Sequence, residues 1–419
     1  MDATANKVEG ARRVLESLVR HRRESPTTKS AEMYYDLMRR YWGNILDAKA
    51  RGEFVAGHSV LVPPEIFHAM GLVPYHLESV LTASMILLRE QEPFLAAAKT
   101  FGLTPEVCSV HRAIAAAFTQ GWAPAPDVVI WNNEVCDNTA KSNELVRERC
   151  RIPGFYFDCP YRSTPRSVQY VAAKLEELVG FLEELTGRSM DRERLAESLE
   201  ISQRMVAVNE DINTLRKAIP APGHNRLGSQ LLYIGFYWMG TPQGLSFYET
   251  VRDELRETVE KGSAPPERYR LLSLFLPLSY SWRLLDWMER EHGARLVGET
   301  YCCHWGEMEW DLSAPFLTLA RRLYAHPVCR SMHGPADGGV LTDAVEDARA
   351  YRVDGAIYWA HIGCRQSCAT IKLAKDALRE KAEIPTLTLE MDSNDPSFVS
   401  EEEMQAKLEE FFEILDERK

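Results

Sequence analysis

The sequence predicts an α/β protein with two parallel-sheet domains and helical additions. Short apolar, strand-like runs recur at 127–131, 154–158, 270–277, 294–298, 354–359 and 384–390. Helix-length segments separate many of them, the pattern of parallel strands joined by right-handed crossovers. The chain of 419 residues also exceeds the roughly 250–300 residues at which one core stops growing.

Residues 1–50 read as a helical arm, with Val14, Leu15, Leu18 and Val19 at helical spacing. A first α/β domain spans 51–165. Within it, 52–75 reads as loops, β-branched residues and prolines, and a helical stretch follows through Leu95. The strands at 127–131 and 154–158 complete that domain. From 166 to 262 nearly everything is helical, a helical insert. The second α/β domain, 263–419, carries the remaining strands and ends in a charged amphipathic helix from Glu401, by default a solvated-face element. No internal repeat stands out.

Composition excludes several classes. With 45% hydrophobic and 26% charged residues the chain is ordinary globular material. A net charge of −12 argues against a phosphate-tracking nucleic-acid surface. No apolar run is long enough to span a membrane, and the charged N-terminal residues do not resemble a targeting peptide, so a cytoplasmic location is expected. Nine cysteines, an odd number, suit buried residues, metal ligands or reactive thiols better than disulfides. P-loop, dinucleotide, His-Glu-x-x-His and Gly-x-Ser-x-Gly motifs are absent.

The cysteines are therefore the chemistry-bearing residues. Cys136 follows the strand at 127–131, and Cys364 follows the strand at 354–359 and opens a helix; open α/β sheets bind ligands at such ends. Two thiols at two strand ends would face one another across an interdomain cleft, with Cys108, before a helix over 111–120, completing a triangle. Three thiolates suit an iron–sulfur cluster or zinc. Free cysteine is also a common core residue, and spacing alone leaves the two readings evenly balanced. Cys302 and Cys303 are read as cleft lining, Cys368 as a fourth ligand or neighbouring thiol, and Cys150, Cys159 and Cys329 as core or surface residues.

Six fragments, in order, resemble the family of 2-hydroxyacyl-CoA dehydratases, ATP-dependent benzoyl-CoA reductases and double-cubane cluster proteins. They are Val62-Pro-Pro-Glu-Ile-Phe-His-Ala-Met-Gly-Leu-Val-Pro74, Cys108-Ser-Val-His-Arg112, Cys136-Asp-Asn138, Asp354-Gly-Ala-Ile357, Gly363-Cys-Arg365, and Ile384-Pro-Thr-Leu-Thr-Leu-Glu390 continuing into Met391-Asp392. The resemblance implies two Rossmann-like, flavodoxin-like domains and a [4Fe-4S] cluster held by Cys108, Cys136 and Cys364. It implies Glu65 near an acyl-CoA thioester as a proton-transfer group, against an alternative as a helix N-terminal carboxylate, with His58 and Ser59 as hydrogen-bonding candidates.

It further implies an iron–sulfur subunit of an acyl-CoA reductase or dehydratase, paired with a homologous second subunit. Single electrons would come from a separate ATP-dependent iron–sulfur activator protein. The aromatic residues Trp131, Trp305, Trp310, Tyr358 and Trp359 are read mainly as core, with a flat acyl pocket as the alternative. The extra cysteines leave open a double-cubane cluster in a homodimeric reductase of small molecules. A non-catalytic accessory subunit is the bland alternative.

Overall fold

A computed structural model describes residues 6–276, 278–302 and 304–418. It contains two four-stranded sheets, all parallel. In the first, the strands β1 (Val55–His58), β2 (Val73–His76), β3 (Val128–Asn132) and β4 (Gly154–Phe157) run in the order β2-β1-β3-β4. In the second, β5 (Tyr269–Leu274), β6 (Ala294–Glu299), β7 (Gly355–His361) and β8 (Thr386–Met391) run in the order β6-β5-β7-β8. Each sheet thus repeats one topology, second-first-third-fourth, and its order reverses beside the first and third strands.

The expected α/β class holds, with one correction. The 52–75 stretch contains two strands, β1 and β2, where loops were expected. Their four residues each are too short for a periodic signal, and Gly57, His58 and Pro74 interrupt the apolar text. Pairing overrides propensity here: Pro74 is tolerated because β2 is an edge strand. At Gly57 an added Cβ would lie 2.9 Å from Pro126 Cγ, so bare backbone is required.

The described chain folds into two compact units, each discontinuous in sequence. One comprises residues up to 206 with 233–250 and 307–325; the other comprises 207–232, 251–306 and 326 onwards. The first contains β1–β4. Its helices Lys7–Glu24 and Lys29–Asp47 pack inward through Leu15, Tyr34, Leu37 and Trp42, and Lys7 N donates to the Trp122 carbonyl at 2.8 Å. The second contains β5–β8 and the helix Glu401–Asp416. That last helix starts on Ser400, whose Oγ accepts from Glu403 N–H at 3.0 Å, and buries Met404, Leu408, Phe411, Phe412 and Leu415. Phe412 stacks on Tyr269 of β5 at 4.8 Å. Among the described residues no helix is long and apolar enough to cross a membrane.

Candidate functional site

In the first unit the carboxyl ends of β1, β2 and β3 lie side by side, His58 in register with His76 and with Ile130. Four residues past β3, Cys136 caps the helix Asp137–Cys150: its Sγ accepts from the Asn138 N–H at 3.3 Å. Burial, with the charges of Asp137 and Glu78 behind it, pushes the Cys136 thiol up. A helix N-terminus works in the opposite sense, favouring thiolate. Cys108 is buried and stands at the start of the helix Ser109–Thr119, its carbonyl accepting from His111 N–H (3.0 Å) and Arg112 N–H (3.1 Å).

His58 and Ser59 are both buried at the end of β1. His58 Nδ1 donates to the Ser59 carbonyl at 3.0 Å, which leaves Nε2 as the acceptor nitrogen. Ser59 Oγ accepts from Asn132 N–H at 3.3 Å, tying β1 to β3. Sequence reasoning missed two neighbours, His76 and Glu78. The His76 ring lies 5.2 Å from that of His58, edge to face, and its Nδ1 is 2.9 Å from Ser79 Oγ and 3.8 Å from Glu78 Oε2. Neither Nε2 of His58 nor Nε2 of His76 has a hydrogen-bond partner among the described residues.

Burial holds the His58 ring down at about 4 and His76 well below the usual histidine range, so both rings are neutral near pH 7. Burial pushes the Glu78 carboxyl up to about 7, only partly offset by backbone N–H groups and the Asn143 amide. His76 Nδ1 accepts from Ser79 N–H at 3.3 Å, so its Nε2 is a donor. An acceptor imidazole at His58, a donor imidazole at His76 and a carboxyl poised to hold or release a proton thus converge where parallel sheets bind ligands. Nothing local marked Glu78, because an acid in a helix's first turn is commonplace; only the β1–β2 register brings it there.

Glu65 opens the helix Pro64–Ala69 and is fully buried. Its Oε1 accepts from Ser202 Oγ at 2.6 Å and its Oε2 from Arg322 Nη2 at 2.8 Å. Gly240 stands against this clamp with φ +74°; a Cβ there would lie 2.8 Å from Glu65 Cγ and 2.3 Å from Ser198 Oγ. The carboxylate is thereby engaged as one half of a buried ion pair.

In the second unit Cys364 stands three residues past β7, the topological counterpart of β3. It caps the helix Arg365–Ala382, Sγ accepting from Ser367 N–H at 3.4 Å, and is 7% exposed. Cys368 is exposed and directs its thiol to the His361 carbonyl at 3.4 Å. Cys302 is buried beyond β6, and Cys303 lies outside the described residues. Cys159 is buried two residues past β4, 3.9 Å from Glu134, whose negative charge joins burial in pushing the thiol up. Tyr358 and Trp359 belong to the core; the Trp359 indole N–H donates to Ser273 Oγ at 2.9 Å.

The sequence pattern described as 2-hydroxyglutaryl-CoA dehydratase, D-component, matches residues 59–415. The chain is 24% identical to the (R)-phenyllactyl-CoA dehydratase alpha subunit of Clostridium sporogenes over 54% of its own length and 58% of that protein. It is 24% identical to a benzoyl-CoA reductase subunit of Thauera aromatica, covering 71% and 72% of the two chains. It is 20% identical to the (R)-2-hydroxyisocaproyl-CoA dehydratase alpha subunit of Clostridioides difficile, covering 92% and 95%.

Proposed function

Because the chain belongs to the 2-hydroxyglutaryl-CoA dehydratase D-component family, we propose that it is an iron–sulfur subunit of a low-potential acyl-CoA dehydratase or reductase. Cys108, Cys136 and Cys364 are the proposed protein ligands of a [4Fe-4S] cluster. The observation that carries this reading is the matched placement of Cys136 and Cys364. Each follows the third strand of a sheet with the same order, and each sulfur already accepts a helix N-terminal N–H. Those N–H bonds favour the thiolate, the form that ligates, against the burial that pushes the Cys136 thiol up. When bound, the cluster supplies low-potential single-electron transfer to a CoA thioester.

The chain's own residues supply orientation and proton handling. Neutral His58 offers an acceptor nitrogen and neutral His76 an N–H donor, and Glu78 holds or releases a proton close to neutral pH. Ser59 fixes the β1–β3 junction from which His58 projects. Proton transfer by Glu65 requires its Arg322 pair to open, so the proposed first role of Glu65 is to hold this end of the unit together. The relatives are themselves named as subunits, which supports a homologous second subunit here. A separate ATP-dependent activator as electron donor completes the proposal.

The test is anaerobic reconstitution with iron and sulfide, followed by iron and acid-labile sulfide analysis. About four of each per chain are expected, as for a single cubane, and the count collapses in Cys136→Ser and Cys364→Ser. Absence of iron, or iron retained in both variants, overturns the reading. An iron count about twice as high favours a double-cubane cluster instead.

A further inference from the structure

A second constellation lies in the second unit and involves none of the cysteines. His304, five residues past β6, has Nδ1 3.0 Å from Asp347 Oδ1. Asp347 therefore accepts the Nδ1 proton, and Nε2, 3.4 Å from Asp343 Oδ1, is the ring nitrogen that ligates a metal once it gives up its proton. Asp343 and Glu346, three residues apart on the helix Val340–Ala350, share one helix face. His304, Asp343 and Glu346 each bring a ligand atom within 4.8 Å of the other two. Metal-ligating histidines almost always hand their second ring N–H to a carboxylate or carbonyl, and Asp347 is so placed.

Asp347 adds an independent sign. It is 6% exposed, yet its Oδ2 has no hydrogen-bond partner among the described residues. A buried oxygen left so is unfavourable, the more so when charged. Charge points the same way. Four carboxylates, Asp343, Glu346, Asp347 and Glu210, face two cations, Arg330 and Lys217, around the ring. Arg330 bonds both oxygens of Asp343, Nε to Oδ2 at 2.8 Å and Nη2 to Oδ1. A carboxylate offers about four lone-pair sites, so two are left for a metal. Asp347 and Asp343 favour the protonated imidazole when no metal is bound; once Nε2 gives up its proton to ligate, the balance is two negative charges, which a divalent cation cancels.

We propose that His304, Asp343 and Glu346 bind a divalent cation of the Mn²⁺, Fe²⁺ and Zn²⁺ class, with Asp347 as a positioning residue that orients the imidazole. One nitrogen with carboxylate oxygens suits these borderline ions better than thiophilic Cu⁺. Bound there, the ion ties the segment after β6 to the helix Val340–Ala350. The site stands independently of the proposed cluster.

The experiment titrates Mn²⁺, a hard cation poorly suited to thiolates, into chelator-treated full-length protein and reads free Mn²⁺ by electron paramagnetic resonance. One saturable site is expected. It weakens at least about ten-fold in His304→Ala, Glu346→Gln and Asp347→Asn, and is unchanged in Cys136→Ser and Cys364→Ser. Glu346 is exposed, so Glu346→Gln does not threaten folding and keeps the test decisive if His304→Ala is unstable. Absence of saturable binding, or wild-type affinity in Glu346→Gln, overturns the proposal.

Discussion

At Glu78, burial and pH are coupled. The folded chain binds this proton more tightly than the unfolded chain, whose carboxyl sits at the usual 4.5. The stability Glu78 contributes is therefore complete below about pH 4.5 and is lost as pH rises through about 7. His58, depressed to about 4, acts oppositely: its share is present above 6.5 and lost as pH falls through about 4. Glu78→Gln is expected to flatten the alkaline side. Its urea midpoint should gain on the wild type as pH goes from about 5 to about 8, and a constant gap would contradict the assignment. Glu65→Gln leaves Arg322 charged and buried, and should lose ~3–5 kcal/mol by denaturant titration, most of it recovered by adding Arg322→Met. Fragments of sequence led to Cys136 and Cys364 as strand-end residues, since the strand and the cap are both local. They could not reveal that Arg322 answers Glu65, because that pair depends on segments far apart in the chain.

Among the elements, β3 and β7, buried along their whole length, were legible from consecutive apolar residues. β1 and β2 escaped because four residues with a glycine, a proline and two histidines carry no period; neighbouring strands, not their own propensity, hold them extended. The final helix illustrates the reverse error. Its charge suggested a solvated face, while its other face buries Phe411 and Leu415, so close to β7 that a Cβ on Gly355 would lie 2.8 Å from Phe411 Cζ. Phe411→Ala should destabilise the chain by ~3–5 kcal/mol, read as a lower guanidinium midpoint. An unshifted midpoint would mean the helix contributes little to the second core.

For the whole molecule, the decisive fact is that both units are interleaved in sequence. A linear reading assigns each stretch to one domain, and no local signal announces that 207–232 serves with β5–β8 while 233–250 serves with β1–β4. The helical text between 166 and 262 was legible as helix but silent about allegiance. Arg216 makes the interleaving concrete: its guanidinium bonds both oxygens of Glu299 at 2.6 and 2.9 Å, with both side chains buried. A fragment of residues 251–419 lacks Arg216 and strands Glu299. It should give no cooperative thermal transition by near-ultraviolet circular dichroism, whereas a sharp transition would show that the fragment folds without that partner.

The Glu65–Arg322 pair also sets a timetable for the nascent chain. The partners are 257 residues apart, and at roughly 5–20 residues per second the ribosome delivers Arg322 about 10–50 s after Glu65. Through that interval the helix Pro64–Ala69 has an acidic group without its guanidinium, and from residue 157 onward the first sheet has all four strands synthesised but lacks this clamp. Completion of the N-terminal fold thus waits on late translation, which exposes this chain to chaperones for longer than its early strands alone would suggest.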